Sequence, residues 1–188
     1  MNSPDKLPLV KRAMGLLLDT LQPEDTVAIA VYAGAAGLVL EPTAAKEKQT
    51  ILRALNRLNA GGSTAGGQGI KLAYQLAEAN FRKDAVNRII LATDGDFNVG
   101  IRNSDELKGF VERKRDQGIF LSVLGFGQGN YNDQLMQALA QNGNGIAAYI
   151  DSVREAQKVL IDEATSMLFP IAKDVKIQLE FNPNRVSE

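Results

Sequence analysis

The sequence specifies an α/β domain: a doubly wound, mostly parallel sheet with helices on both faces. Three observations predict it. The runs Thr26–Ala33, Ile89–Ala92 and Ile119–Leu124 are continuously apolar and rich in β-branched side chains, the composition of strands buried on both faces. Segments between them carry apolar residues three and four apart, the spacing of one helix face. Strand and helix patterns alternate along the chain, the order that builds a parallel sheet.

Taken in order, Leu7, Val10, Met14, Leu17 and Leu21 predict an amphipathic helix over roughly Pro8 to Leu21. Pro4 and Pro8 stand near its start, where a missing N–H costs little, and Pro23 marks its end. Thr26–Ala33 is the first central strand, and Gly34 turns it into a short strand, Gly37–Leu40, as a hairpin. From Thr43, read as an N-cap, Ile51, Leu55 and Leu58 make a helix that breaks in the glycine-rich run Asn59–Gly67. A helix over Gln68–Phe81 follows, with Ile70, Ala73, Leu76, Ala77 and Phe81 inward. After the strand Arg88–Thr93, Ser104 caps a helix with Asp105 and Glu106 in its first turn, stopped by Gly118. Ile119–Leu124 is the next buried strand. Asn132 or Asp133 starts a helix that Gly143 ends, Gly145–Ile150 is a short strand, and Asp151 or Ser152 caps a long helix running past Leu160 to Met167. At the end, Val175, Ile177, Leu179 and Phe181 alternate with Lys176, Gln178 and Glu180, the pattern of a half-exposed strand unlike the others.

The 188 residues suffice for one domain with a single substantial core. The chain has no cysteine and no histidine, which removes Cys and Ser-His-Asp nucleophilic catalysis, thiol redox chemistry and the usual zinc sites. Oxygen ligands are the remaining route to a metal. Twenty-one Lys and Arg against 22 Asp and Glu, with no long block of either sign, give no nucleic-acid footprint. The opening residues Met1 to Pro4 and the charged amphipathic pattern behind them are neither a signal peptide nor a membrane span.

The chemistry is concentrated in Arg88–Asn98, RIILATDGDFN, where an apolar strand ends in Thr93, Asp94, Gly95 and Asp96. In open α/β sheets the ligand crevice lies outside the carboxyl ends of the strands, so two carboxylates delivered there form a candidate site; the plain alternative is a solvated turn. A strand-end Asp holds a hard cation directly or through water, with loop hydroxyls filling other positions. Ser63 and Thr64, within GGSTAGG, are the natural hydroxyl donors. That glycine run follows a helix and lacks the GxxxxGK[ST] spacing, so it is not a standard nucleotide cradle. Asp94 and Asp96 also admit a second class, a Mg²⁺-dependent phosphoryl-transfer enzyme of phosphatase type with one carboxylate as nucleophile. Against it, Lys83 and Arg88 lie at the wrong end of the strand to clamp a phosphate. Phe126, in Gly125-Phe126-Gly127, is read as a packing residue beside the same crevice.

GGSTAGGQGI, IILATDGDFNVG, VLGFGQGNYND and IAKDVKIQLEFNP, in that order, resemble a bacterial von Willebrand factor type A domain, in particular those of envelope-associated proteins that carry a further C-terminal module. The resemblance implies a doubly wound sheet, no catalysis, and adhesion or assembly through a metal-ion-dependent adhesion site. There Mg²⁺ or Mn²⁺ is held by an Asp-x-Ser-x-Ser motif, a Thr and an Asp, and a partner's Asp or Glu completes the coordination. Thr64 matches the Thr and Asp94 the last Asp, with Asp96 and Ser63 as supporting residues. On this reading residues 1–172 are the domain, and 173–188 are a strand and the start of a following module. The resemblance suggests the cell envelope without fixing a compartment.

In one respect the chain departs from the family. A buried strand ending in Asp-x-Ser-x-Ser should precede the first helix, and Met1 matches the residue just after that motif. Ser3 and Asp5 have neither its spacing nor its strand context. Two of five expected ligands remain, so metal binding is expected to be weak or absent. The missing strand resembles the central one, between Thr26–Ala33 and Arg88–Thr93. Each large side chain lost from a core forfeits about 1.5–3 kcal/mol, so its loss rivals a domain's margin of about 5–15 kcal/mol. Folding back of Asp174–Phe181 into the gap would bury Lys176, Gln178 and Glu180, and a donated strand is a second route. Truncation is the favoured explanation: the codons before Met1 are expected to encode an apolar run and Asp-x-Ser-x-Ser.

Overall fold

The computed structural model describes residues 1, 3–32, 37–61, 66–94, 104–127, 133–162 and 178. Its elements run α1 (Leu7–Leu18), β1 (Thr26–Val31), β2 (Gly37–Ala44), α2 (Lys48–Arg57, after a 3₁₀ turn at Ala45–Glu47), α3 (Gly66–Ala79), β3 (Asn87–Thr93), α4 (Ser104–Asp116), β4 (Ile119–Phe126), α5 (Asp133–Asn142), β5 (Ala147–Ile150) and α6 (Val153–Gln157), which continues as a wider turn over Lys158–Asp162. The predicted stretch Asp174–Phe181 lies outside the described residues except for Gln178, which is exposed.

Strand β4 organises the parallel part of the fold. It pairs with β3 from Asn87 opposite Ile119 to Thr93 opposite Gly125, and with β5 from Val123 opposite Ala147 to Phe126 opposite Ile150, parallel throughout. Alternate side chains of a strand point to opposite faces, and each face of β4 has its own core. Leu121 and Val123 pack with Ile70 and Tyr74 of α3, Val111 of α4 and Met136 and Leu139 of α5. Leu124 and Phe126 pack with Val10, Ala13 and Leu17 of α1 and with Ala156 and Leu160 of α6 and its continuation. Helices therefore cover both faces, as the continuous apolar run Ile119–Leu124 predicts. Gly118 ends the turn after α4 at φ +90°, and Ser152 caps α6 by accepting the Glu155 backbone N–H.

The other two strands form a separate antiparallel hairpin sheet, β1 with β2, over a third core of Leu18, Ile51 and Leu55. Among the described residues no ladder joins β1 to β3. The two strands expected to be buried on both faces are correspondingly less covered. In β1, Thr26 and Ala28 are exposed and the rest half-buried; in β3 only Leu91 and Thr93 are buried. An edge with no neighbouring strand leaves apolar side chains with contacts on one flank alone.

Local departures from the sequence reading have local causes. Strand β2 extends to Ala44, so Thr43 is a strand residue whose hydroxyl donates to the Glu41 carbonyl, not a helix cap. Helix α3 stops at Ala79, which leaves Phe81 41% exposed beyond it, against the side of Gly118. Gly125 and Phe126 belong to β4, and Phe126 is a fully buried packing residue, as expected.

Candidate functional site

Strands β3 and β4 end side by side, so the residues that follow them, Asp94 and Gly127, share one rim. Asp94 is the residue at which the apolar strand emerges. Its side chain is only 19% exposed, and Oδ2 accepts from the Met1 ammonium at 2.8 Å and from Lys6 Nζ at 3.4 Å. Burial alone would raise the Asp94 pKa, but the hydrogen bond and charge of the Met1 ammonium, with Lys6 behind it, hold the carboxyl below its ordinary range.

Two tyrosines brace the rim. Tyr32, just past β1, donates to the Ala92 carbonyl at 2.9 Å, linking the hairpin sheet to the end of β3. Burial pushes its phenol up to about 12; a hydrogen bond with Thr93 opposes the rise and the charge of Asp94 adds to it. Tyr149 of β5 donates to the Gly127 carbonyl at 2.6 Å. Gly127 itself has φ +80°, and a Cβ there would lie 2.4 Å from Lys6 Cγ, so the lysine stem crosses bare backbone on its way to Asp94.

Of the four residues singled out from sequence, Asp94 is at the rim; Ser63, Thr64 and Asp96 lie outside the described residues. Asn59 and Ala60 line a cleft of about 250 Å³ together with Met1, and α3 resumes at Gly66 with Gly69 against Tyr32. Arg88 stands at the opposite end of β3, donating through Nη1 to Ser122 Oγ at 2.9 Å, so nothing observed favours a phosphate clamp at Asp94. Sequence reading missed Lys6, Tyr32 and Tyr149. Lys6 is 88 residues from Asp94 in the chain, and no local pattern marks that pairing.

The sequence signature of the von Willebrand factor type A domain matches residues 2–163. The chain belongs to the von Willebrand factor type A family. A second signature, described as "Uncharacterized protein YfbK, C-terminal", matches residues 166–188. YfbK of Escherichia coli (strain K12) is 46% identical over 188 residues, all of this chain and 33% of that protein. The protein sll0103 of Synechocystis is 32% identical over 150 residues, 80% of this chain and 35% of that protein. The chain thus spans about a third of the length of these relatives. Among solved structures, BatB from Bacteroides thetaiotaomicron superposes with a TM-score of 0.71 at 24% identity, over 89% of this chain and 92% of that one. Proximal thread matrix protein 1 from the mussel byssus, solved with a zinc-occupied MIDAS motif, superposes at 0.66 and 22% identity, over 86% of this chain and 40% of that one. Von Willebrand A domains generally mediate protein interactions and are generally not enzymes. Among the described residues no helix is long and apolar enough to cross a membrane.

A divalent ion needs several oxygen ligands. Among the described residues no group of three or more acidic side chains gathers, and Asp94, the carboxylate at the end of β3, is already engaged by two ammonium groups, while Asp5 Oδ2 lies beside Gly127. That donor set alone does not fit a Mg²⁺ or Mn²⁺ ion.

Proposed function

We propose that this von Willebrand A domain is a non-enzymatic interaction domain whose binding surface is the rim at the carboxyl ends of β3 and β4. Asp94 and Thr64 belong to a divalent-metal adhesion site for Mg²⁺ or Mn²⁺, with Asp96 and Ser63 in support. A partner's Asp or Glu carboxylate completes it. The observation that carries the reading is Asp94, a largely buried carboxylate delivered to the rim by an apolar strand and surrounded by cations. The approach of Asn59 and Ala60 to Met1, and of Gly69 to Tyr32, supports Thr64 as a neighbour. The zinc-occupied motif of the mussel protein is a precedent on the same fold.

Metal binding by this chain alone is expected to be weak, because Asp94 is already engaged by two ammonium groups. Among the described residues β1 and β3 each pair on one side only, β1 with β2 and β3 with β4, which supports an added strand in that sheet. Residues 173–188 are read as the start of a following module. Calorimetric titration with Mg²⁺ and Mn²⁺, on this chain and on one extended at its N-terminus by an apolar strand ending in Asp-x-Ser-x-Ser, tests the proposal. Clearly tighter binding by the extended chain, lost on Asp94→Asn, is expected. Binding that survives Asp94→Asn, or none in either chain, overturns it.

A further inference from the structure

At the opposite end of β3 from Asp94, a loop with no part in the rim joins α3 to β3, and every residue from Phe81 to Val86 in it is exposed. Connections so exposed ordinarily move. This one is closed by Asn87, the first residue of β3, whose Oδ1 accepts the Arg82 backbone N–H at 3.0 Å. Asn87 Nδ2 donates to the carbonyls of Arg82 at 2.8 Å and Ala85 at 3.1 Å, and the Ala85 N–H donates to the Arg82 carbonyl at 3.2 Å. Phe81 and Val86 stand at the two ends of this closed loop, 41% and 39% exposed. A Cβ at Gly118 would lie 3.4 Å from Phe81 Cζ, so one edge of the ring rests on bare backbone. The loop's charges are unanswered. Among the described residues Arg82, Lys83 and Asp84 have no ion pair, whereas Lys114 is engaged by Glu78, and Arg115 by Glu112 and Asp116.

We propose that this loop is a second interaction surface, and that its partner is an acidic protein segment with large apolar side chains between its carboxylates. Two cations, Arg82 and Lys83, against the one carboxylate of Asp84 leave the loop net positive, so an acidic partner is attracted. A second copy of the chain, presenting the same excess across a two-fold axis, is not. An anionic membrane is the poorer match, because recognition of its headgroups uses clusters of about four to eight Lys and Arg, and the loop has an aspartate beside its two cations. Aromatic side chains and arginine are the groups enriched at protein interfaces, and Phe81 and Arg82 supply both at adjacent positions. The Asn87 bonds hold the backbone in one shape beforehand, which lowers the ordering cost of binding.

The test is a ¹H–¹⁵N magnetic resonance titration of the whole chain with a capped peptide of two leucines between two pairs of glutamates. A control peptide carries lysines in place of the glutamates. Saturable shifts centred on Phe81 to Asn87 and on Gly118 are expected with the acidic peptide and not with the basic one. Phe81→Ser should weaken the binding at least about tenfold, the loss typical of an interface anchor. Lys83→Glu, at an exposed position where the fold is not at stake, should weaken it at least about threefold. No shift at Phe81 to Asn87 with millimolar acidic peptide overturns the inference, as does equal binding of the two peptides or an affinity that Lys83→Glu leaves unchanged. Shifts of the same amides with phosphatidylglycerol vesicles in place of the peptide, or a dimer in sedimentation velocity that Phe81→Ser abolishes, overturn the choice of partner.

Discussion

Substituting alanine for Gly69 should destabilise the protein, although it replaces a poor helix former by the best one. Gly69 sits inside α3, where the exchange gains about 1 kcal/mol by propensity alone. Here the added methyl would lie 2.2 Å from Tyr32 Cβ, 2.7 Å from Cγ and 3.1 Å from Cδ1. Carbon atoms pack comfortably at about 3.5–4.0 Å, so the overlap exceeds an ångström. Tyr32 cannot relieve it by changing rotamer, because the nearest atom is its own Cβ, fixed to the backbone. Either α3 or the end of β1 must move, and Tyr32 is bonded at its other end to the Ala92 carbonyl. Overpacking of this kind costs about 1–3 kcal/mol, and loss of the hydrogen bond about 1 kcal/mol more. Net of the propensity gain, Gly69→Ala should lose about 1–3 kcal/mol. The control is Gly109→Ala in α4, where the nearest atom is Nη1 of Arg113 on the same helix at 3.5 Å and only the propensity gain of about 1 kcal/mol applies. Urea unfolding followed by far-ultraviolet circular dichroism reads both. A Gly69→Ala midpoint at or above wild type would refute the packing of α3 on Tyr32.

The same tyrosine should mark the alkaline limit of stability. An acid whose pKa is raised by folding binds its proton more tightly in the native state, so the stabilisation is fully present below the unfolded value of about 10 and is lost as pH rises through about 12. Absorbance titration at alkaline pH should show a late-ionising phenol that Tyr32→Phe removes; a wild type whose tyrosines all titrate near 10 would contradict the buried placement. Tyr74 should also ionise late, because burial pushes its phenol up and its hydroxyl has no partner among the described residues. At the other end of β3, Arg88 is depressed by burial, has an unpartnered Nε, and has no acidic partner among the described residues; its guanidinium lies 5.5 Å from the Phe120 ring centre. Arg88→Met keeps the apolar stem and removes an uncompensated charge, so stability should change by less than about 1 kcal/mol or rise. A loss above about 2 kcal/mol on chemical unfolding would show that the bond to Ser122 outweighs the burial of the charge.

How far the fold could be read from the chain depended on whether a residue's neighbours come from nearby sequence. Ile119–Leu124 and Thr26–Ala33 have the same apolar character, and both were expected to be buried on two faces. Only β4 is, because β3 and β5 flank it, whereas β1 has a strand on one side alone among the described residues. Side-chain composition tells what a strand can bury; it carries no record of whether the next strand is there. Phe81 failed for a related reason: its spacing matches the inward face of α3, but the helix ends two residues earlier and turns it out. Asp94 was legible because the change from apolar strand to acid is local. Its counter-charges were not, since Lys6 reaches it from the start of the chain across a glycine at the end of a different strand. An acidic residue at a strand end therefore identifies where a cation is wanted, while the fold decides which cation answers. In this rim the cations that answer Asp94 are the Met1 ammonium and Lys6.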